Sequence, residues 1–300
     1  MTENKFDIKE TILAVDINEA TQAVKENRFH DAIKLLEISL IEHPDHIDSL
    51  YLAGVCSRYL KEFDDAIKYI ESLLLHAPDM GRAYQELAHI NRDMGNEEKS
   101  ISNYRQACEL NPALISSWMS LYEYFKKNNN KPALDHATEQ INKLQSLPNM
   151  LLYIDQVMNE GRLGVAELKC REFLKKNPTH TYAMSQLSEI ANRLGHFDDA
   201  ELLLEKAVQF NPDDGELRMK YALVLRKKQK FAKTMEQVNI LCDKYPDNLA
   251  YQAQKASEIM QNGQHEDAID LFDDILSKNP HNFSTFTSKG HALKTLGKTD

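Results

Sequence analysis

"TYAMSQLSEIANRLGHFDDAELLLEKAVQFNPDD" (Thr181–Asp214) decides the fold. Met184, Leu187, Ser188 and Ala191 follow the i, i+3, i+4, i+7 spacing of a helix with one apolar face. "RLGHFDD" (Arg193–Asp199) reads as a turn in which Gly195 supplies positive φ. Asp198 or Asp199 is expected to cap the next helix and to suit its positive end. Ala200, Leu203, Leu204, Ala207 and Val208 mark a second apolar face. "NPDD" then closes the unit, because proline cannot continue a helix and restrains the residue before it. No stretch alternates with a β period.

This unit recurs. Pro44, Pro78 and Pro112 lie 34 residues apart, and so do Pro178, Pro212, Pro246 and Pro280. Seven of the nine prolines therefore sit on one ruler, with two residues missing between Pro112 and Pro178. Ala32, Ala66, Ala166, Ala200 and Ala268 each stand twelve residues before a proline, with Ser100 and Thr234 in the same place. A small residue at a fixed place lets two helices of a hairpin cross closely. Gly54 facing Ala66, and Ala88 facing Ser100, fit this need, and a bulkier residue would overpack the crossing. The units are 13–46, 47–80, 81–114, 115–146, 147–180, 181–214, 215–248, 249–282 and an incomplete 283–300.

The fourth unit is irregular. In "YFKKNNNKPALDHATEQINKLQS" (Tyr124–Ser146) Leu134 stands where alanine belongs, and the unit is two residues short. Pro132 suits the first turn of its second helix. "SLPNM" (Ser146–Met150) restarts the pattern. The expected organisation is a lead-in over 1–12, a sub-array over 13–146 and a second over 147–300. A tolerated variation within one array is the alternative.

A 34-residue helix–turn–helix with these small residues and prolines resembles the tetratricopeptide repeat, or TPR. The resemblance implies an all-α fold, an α–α superhelix of stacked hairpins whose first helices line a concave groove for a protein or peptide. Carried onto this chain, that groove is lined by Tyr51, Val55, Arg58 and Tyr59, then Gln85, Glu86, His89 and Arg92, then Met119, Glu123 and Lys126. Further on it is lined by Leu151, Asp155 and Met158, by Tyr182, Ser185, Glu189 and Arg193, and by Met219, Lys220 and Leu223. Aromatic, Met and Arg residues are those that interfaces favour. Chaperone-binding relatives carry a carboxylate clamp, but the corresponding places here hold Tyr51 and Val55, Gln85 and His89, and Ser185 and Glu189. The asparagine ladder of another TPR group is replaced by Leu52, Glu86, Ser120, Leu152, Gln186, Lys220 and Gln254.

From the fourth unit onward the chain also resembles bacterial proteins in which TPR units precede a sulfotransferase domain. "SWMSLYEYF" (Ser117–Phe125), "GRLGVAELKCREFLKKNPTH" (Gly161–His180), "ANRLGHFDDAELLLEKAVQFNP" (Ala191–Pro212), "YALVLRKKQKF" (Tyr221–Phe231) and "SKGHALKTLGKTD" (Ser288–Asp300) carry that likeness. It implies a catalytic domain beyond Asp300 that uses the sulfate donor PAPS. No phosphate-binding motif of such a domain lies in this chain, so no cofactor and no catalytic residue are assigned within it. The ending agrees with this expectation. Phe286, Gly290 and Leu293 fall on a first helix and Gly297 on its turn, while Gly290 keeps the small place that a second helix would need.

Composition narrows the rest. A net charge of −10 over 300 residues, without a long basic run, gives little support for nucleic-acid binding. No signal pattern opens "MTENKFDIKE", and no apolar run approaches the ~18 residues of a membrane span, so a cytoplasmic protein is expected. Cys56, Cys108, Cys170 and Cys242 form no CxxC pair and are expected to be small core residues. His43 and His46 in "EHPDHID" lack a recognised metal-ligand spacing. "RKKQKF" (Arg226–Phe231) with Lys233 reads as a solvated helix end, with an anion or acidic-peptide contact as the alternative. The expected function is a scaffold for a protein or peptide partner. The recognition arm of a sulfotransferase and a self-associating array are kept as alternatives.

Overall fold

The computed structural model describes residues 17–298. The lead-in over 1–12, the opening of the first repeat, and Thr299 and Asp300 lie outside them. Packing divides the chain into two compact units, Met1–Arg162 and Leu163–Asp300. Every regular element among the described residues is a helix. The first unit holds α1 (described over 17–25), α2 (Phe29–Glu42), α3 (Ile47–Tyr59), α4 (Phe63–His76), α5 (Gly81–Asp93), α6 (Glu97–Leu110), α7 (Ile115–Lys127), α8 (Lys131–Gln145) and α9 (Asn149–Asn159). The second holds α10 (Leu163–Lys176), α11 (Thr181–Arg193), α12 (Phe197–Phe210), α13 (Gly215–Lys227), α14 (Phe231–Lys244), α15 (Leu249–Gln261), α16 (His265–Lys278) and α17 (Phe283–Thr295). Odd-numbered helices from α3 onward are the first helices of the repeats.

The turns inside the repeats carry a ruler of their own. The backbone takes positive φ at Asn27, Lys61, Gly95, Asn129, Gly161, Gly195, Gln229, Gly263 and Gly297. These stand 34 apart except across the fourth unit, where the step from Asn129 to Gly161 is two residues short. Each turn needs one left-handed residue, and glycine supplies it without strain at five of the nine.

The caps fall elsewhere than expected. Neither Asp198 nor Asp199 caps α12: its N-cap is His196, without a side-chain cap, and both acids lie inside the first turn. There they act on the helix dipole. Side-chain caps serve first helices instead. His46 Nδ1 accepts from Ser49 N at 3.2 Å, His180 Nδ1 from Ala183 N at 3.3 Å, and Asp214 from Leu217 N at 2.9 Å. His46 thus has a structural task at the place weighed for metal. Second helices enter through the tight backbone turn, as where His196 N donates to Ala191 O at 2.8 Å. The exception is α8, with Asn130 as cap and Pro132 in the first turn.

The small residues do close the hairpins. A Cβ on Gly54 would lie 2.5 Å from Ile70 Cδ1, and Ser100 Oγ donates to Ala88 O at 2.9 Å. Leu50, Ala66, Ile70, Leu73, Ala83 and Ile90 form one buried cluster of the first unit. Leu204, Ala207, Leu217, Tyr221 and Leu225 form one of the second. Each buried Leu or Ile contributes about 1.5–3 kcal/mol. Cys56, Cys108 and Cys170 are fully buried within this packing, and Cys242 is half-buried.

Candidate functional site

In the first unit Arg58, Glu86, His89 and Arg92, read as groove-lining, are engaged in contacts within the repeat stack. Arg58 donates from Nε to Glu86 Oε1 at 2.5 Å and from Nη1 to Asp93 Oδ2 at 3.2 Å. Its guanidinium carbon lies 4.4 Å over the Tyr59 ring, which stacks on Phe29 at 4.5 Å. Glu86 is buried, and burial raises its carboxyl pKa against the opposing pull of Arg58. His89 Nδ1 lies 2.7 Å from Tyr104 Oη, to which Arg92 Nη1 donates at 3.3 Å. Burial, helped by Arg58 and Arg92, lowers His89 to a pKa of about 4. Gln85 accepts from Ser117 Oγ at 3.0 Å. The Arg58 and Gln85 contacts fasten neighbouring first helices side by side, whereas those of His89 and Arg92 hold α5 to α6 within one hairpin. Val55 is half-buried, while Met119 and Glu123 remain exposed.

Another set of contacts brings α9 back over the start of this face. Glu160, just past α9, places Oε1 2.5 Å from Arg82 Nε on α5. Arg162 Nη1 lies 3.7 Å from Asp48 Oδ1 on α3. Asn111 Nδ2 donates to Gln156 O at 3.1 Å, Gln156 Nε2 to Ala113 O at 3.1 Å, and Asn159 Nδ2 to Asn111 Oδ1 at 3.3 Å. Arg82 in turn covers the Tyr51 ring at 4.8 Å, and burial raises the Tyr51 phenol pKa. Leu151, Asp155 and Met158, placed by the sequence on the groove wall, are buried in α9. Arg82, Asn111, Gln156 and Glu160 were not among the sequence candidates. Their repeat positions are ordinary, and no local pattern marks where α9 returns.

In the second unit Ser185 and Gln186 are buried in α11, Tyr182 and Glu189 are half-buried, and Arg193 is exposed. Lys220 Nζ donates to Ser185 Oγ at 3.2 Å, Arg193 Nε to Glu189 Oε1 at 2.9 Å, and Gln186 Nε2 to Tyr182 Oη at 3.3 Å. Met219 is half-buried. A cleft of about 580 Å³ lies between α11, α12, α13 and the start of α14, with Leu204, Leu223, Val224 and Phe231 as its apolar lining. Leu223 is 40% exposed and Phe231 42%. Of the sequence candidates, Glu189, Lys220 and Leu223 line it. Arg226, Lys227 and Phe231, from the basic stretch singled out in the sequence, join them, as do Ser188 and Asn192, whose repeat positions were the signal that could have found them.

The basic cluster beside the cleft is mostly neutralised across helices. Arg226 Nη1 lies 3.3 Å from buried Glu258 Oε1, and Lys230 Nζ lies 2.6 Å from Glu201 Oε1. Lys228 bonds both Asp198 and Glu201. Among the described residues no three His, Cys, Asp or Glu side chains gather where a metal ion could be held. No described helix is long and apolar enough to cross a membrane.

Comparison with known proteins agrees with the repeat geometry. Tetratricopeptide repeat models match residues 81–114, and residues 17–74 with 186–248, together more than half of the chain. A curated relative, the DnaJ homolog subfamily C member 7 homolog of Dictyostelium discoideum, is 22% identical over 222 residues. The match takes in 71% of this chain but 37% of that protein, so the chain spans little more than a third of it. A tetratricopeptide repeat protein from Parabacteroides merdae is 16% identical with a TM-score of 0.40, covering 94% of this chain and 98% of that one. MamA is 17% identical with a TM-score of 0.44, over 49% of this chain and 86% of its own. The Cut9–Hcn1 assembly of the APC/C gives 12% and 0.42, over 88% and 52%. With the 34-residue ruler, its hairpins and these models in agreement, the chain belongs to the tetratricopeptide repeat family.

Proposed function

We propose that this chain is a protein-interaction scaffold whose partner segment is held in the cleft of the second unit, on the face formed by α11 and α13. One observation carries the reading. There Leu223 of α13 and Phe231 at the start of α14 form an apolar patch that stays open to solvent inside a concave cleft. Apolar lining with a few convergent polar groups is what recognition sites require. In the first unit, Arg58 and Glu86 are paired with each other, and His89 and Arg92 both bond the Tyr104 hydroxyl.

The test is selection of short peptides from a phage-displayed random library on the immobilised 300-residue chain, followed by fluorescence anisotropy of the enriched peptides. Leu223→Arg is expected to abolish their binding while leaving the melting temperature in place, because Leu223 is partly exposed. Binding unchanged by Leu223→Arg would remove the cleft from the account. A second reading, the recognition arm of a PAPS-dependent sulfotransferase, rests on the sequence resemblance alone. It is tested by the reading frame after Asp300.

A further inference from the structure

The cleft carries a charge imbalance that its counterpart in the first unit lacks. Residues 220, 223 and 227 of α13 hold the repeat places that 120, 123 and 127 hold in α7. In α7 these are Ser120, Glu123 and Lys127, lining a cleft of about 610 Å³, and Lys127 is paired with Glu97 at 2.8 Å. In α13 they are Lys220, Leu223 and Lys227. Lys227 Nζ donates to the amide oxygen of Asn192 at 2.9 Å. Lys220 Nζ donates to the buried Ser185 hydroxyl at 3.2 Å, with exposed Glu216 at 3.5 Å. The carboxylate on the cleft wall, Glu189, is engaged by Arg193 at 2.9 Å. Leu223 is therefore flanked by Lys227, whose hydrogen-bond acceptor is a neutral amide, and by Lys220, which shares its ammonium between a neutral hydroxyl and the exposed Glu216 carboxylate, in a chain of net charge −10.

Their separation sets the ligand. Seven residues along a helix place the two lysine positions about 10 Å apart along its axis. An extended polyproline-type segment rises ~3.1 Å per residue with three residues per turn, so its side chains at i and i+3 point the same way about 9 Å apart. A carboxylate accepting from an ammonium makes a stronger, shorter bond than a hydroxyl or amide does.

We propose that the cleft takes an extended acidic segment of a partner protein. Two side-chain carboxylates three positions apart replace Asn192 and Ser185 as partners of Lys227 and Lys220, and an apolar side chain between them packs on Leu223 and Phe231. This rests on the reading of the cleft as the partner site.

The probes are the library-enriched peptides, synthesised with amidated C-termini so that only side-chain carboxylates remain. They are expected to carry Asp or Glu pairs three positions apart. Exchanging both acids for their amides, or combining Lys220→Gln with Lys227→Gln, should each weaken binding roughly tenfold or more. Lys220→Arg with Lys227→Arg keeps the charges and should keep most of the affinity. Enriched peptides without an acidic pair, or affinity indifferent to the glutamine variants, would overturn the acidic class. If Leu223→Arg still abolishes binding in that case, the partner-site reading survives alone. If neither kind of variant matters, both readings fall.

Discussion

Glu160 Oε1 lies 2.5 Å from Arg82 Nε across 78 residues of sequence, with the Glu160 side chain 2% exposed and that of Arg82 26% exposed. The approach is close but poorly aligned for an N–H···O bond, so the contact is an ion pair more than a hydrogen bond. Burial raises the Glu160 carboxyl pKa while Arg82 pulls it down. Removing one partner leaves a desolvated charge, whereas removing both leaves packing. Arg82→Ala is expected to cost about 2–3 kcal/mol in urea unfolding. Arg82→Met with Glu160→Leu should recover most of that. A double variant as unstable as the single one would show that the pair does not act through charge.

Two glycines at the same repeat place respond oppositely to alanine. A Cβ on Gly54 would press on Ile70 at 2.5 Å, whereas one on Gly290 meets nothing within 4 Å. Gly54→Ala is expected to destabilise by about 1–3 kcal/mol through overpacking. Gly290→Ala should stabilise by up to about 1 kcal/mol through helix propensity, since Gly290 lies within α17. Thermal melts of the two variants of the 300-residue chain decide it.

His89 makes stability depend on pH in a defined window. Its native pKa is about 4 against an ordinary 6.5, so between those values the unfolded chain takes up a proton that the native chain refuses. Stability therefore falls as pH drops from 6.5 towards 4. The loss assigned to this group is on the order of 3 kcal/mol. Replacing His89 by Gln should flatten the curve of unfolding free energy against pH in that range. An unchanged slope would place the titration elsewhere.

The cysteines should differ in reactivity. Burial pushes the Cys56 and Cys108 thiols up to about 12, and Cys170 is fully buried with its Sγ 3.2 Å from Ala183 O. Cys242 is half-buried, and burial raises it as well. Iodoacetamide at pH 8 is expected to label Cys242 first, and the other three on the timescale of unfolding. Mass spectrometry of partly labelled protein reads the order directly.

Hairpins and turns were legible in the sequence because each depends on residues within one repeat. Pro44, Ala66 and Gly195 carry their meaning by position alone. The caps misled because Asp198 and Asp199 sit two and three residues past His196, inside the helix rather than before it. Charge pairing was illegible for a different reason. Arg58 meets Glu86 and Arg226 meets Glu258 through the stacking of successive repeats, at a register the single-repeat pattern does not contain. The return of α9 to Arg82 and Asp48 depends on how the short fourth unit steers the chain, which no side-chain periodicity states.

The central claim is that partner segments enter the cleft of the second unit, and photocrosslinking locates them without assuming their chemistry. Phe231 on the cleft and Phe210 at the end of α12 are both exposed phenylalanines of that unit. Each is replaced in turn by p-benzoylphenylalanine, and the chain is irradiated with a library-enriched peptide. The account predicts a peptide adduct from position 231 and none above background from position 210. Equal labelling, or labelling from 210 alone, would contradict it.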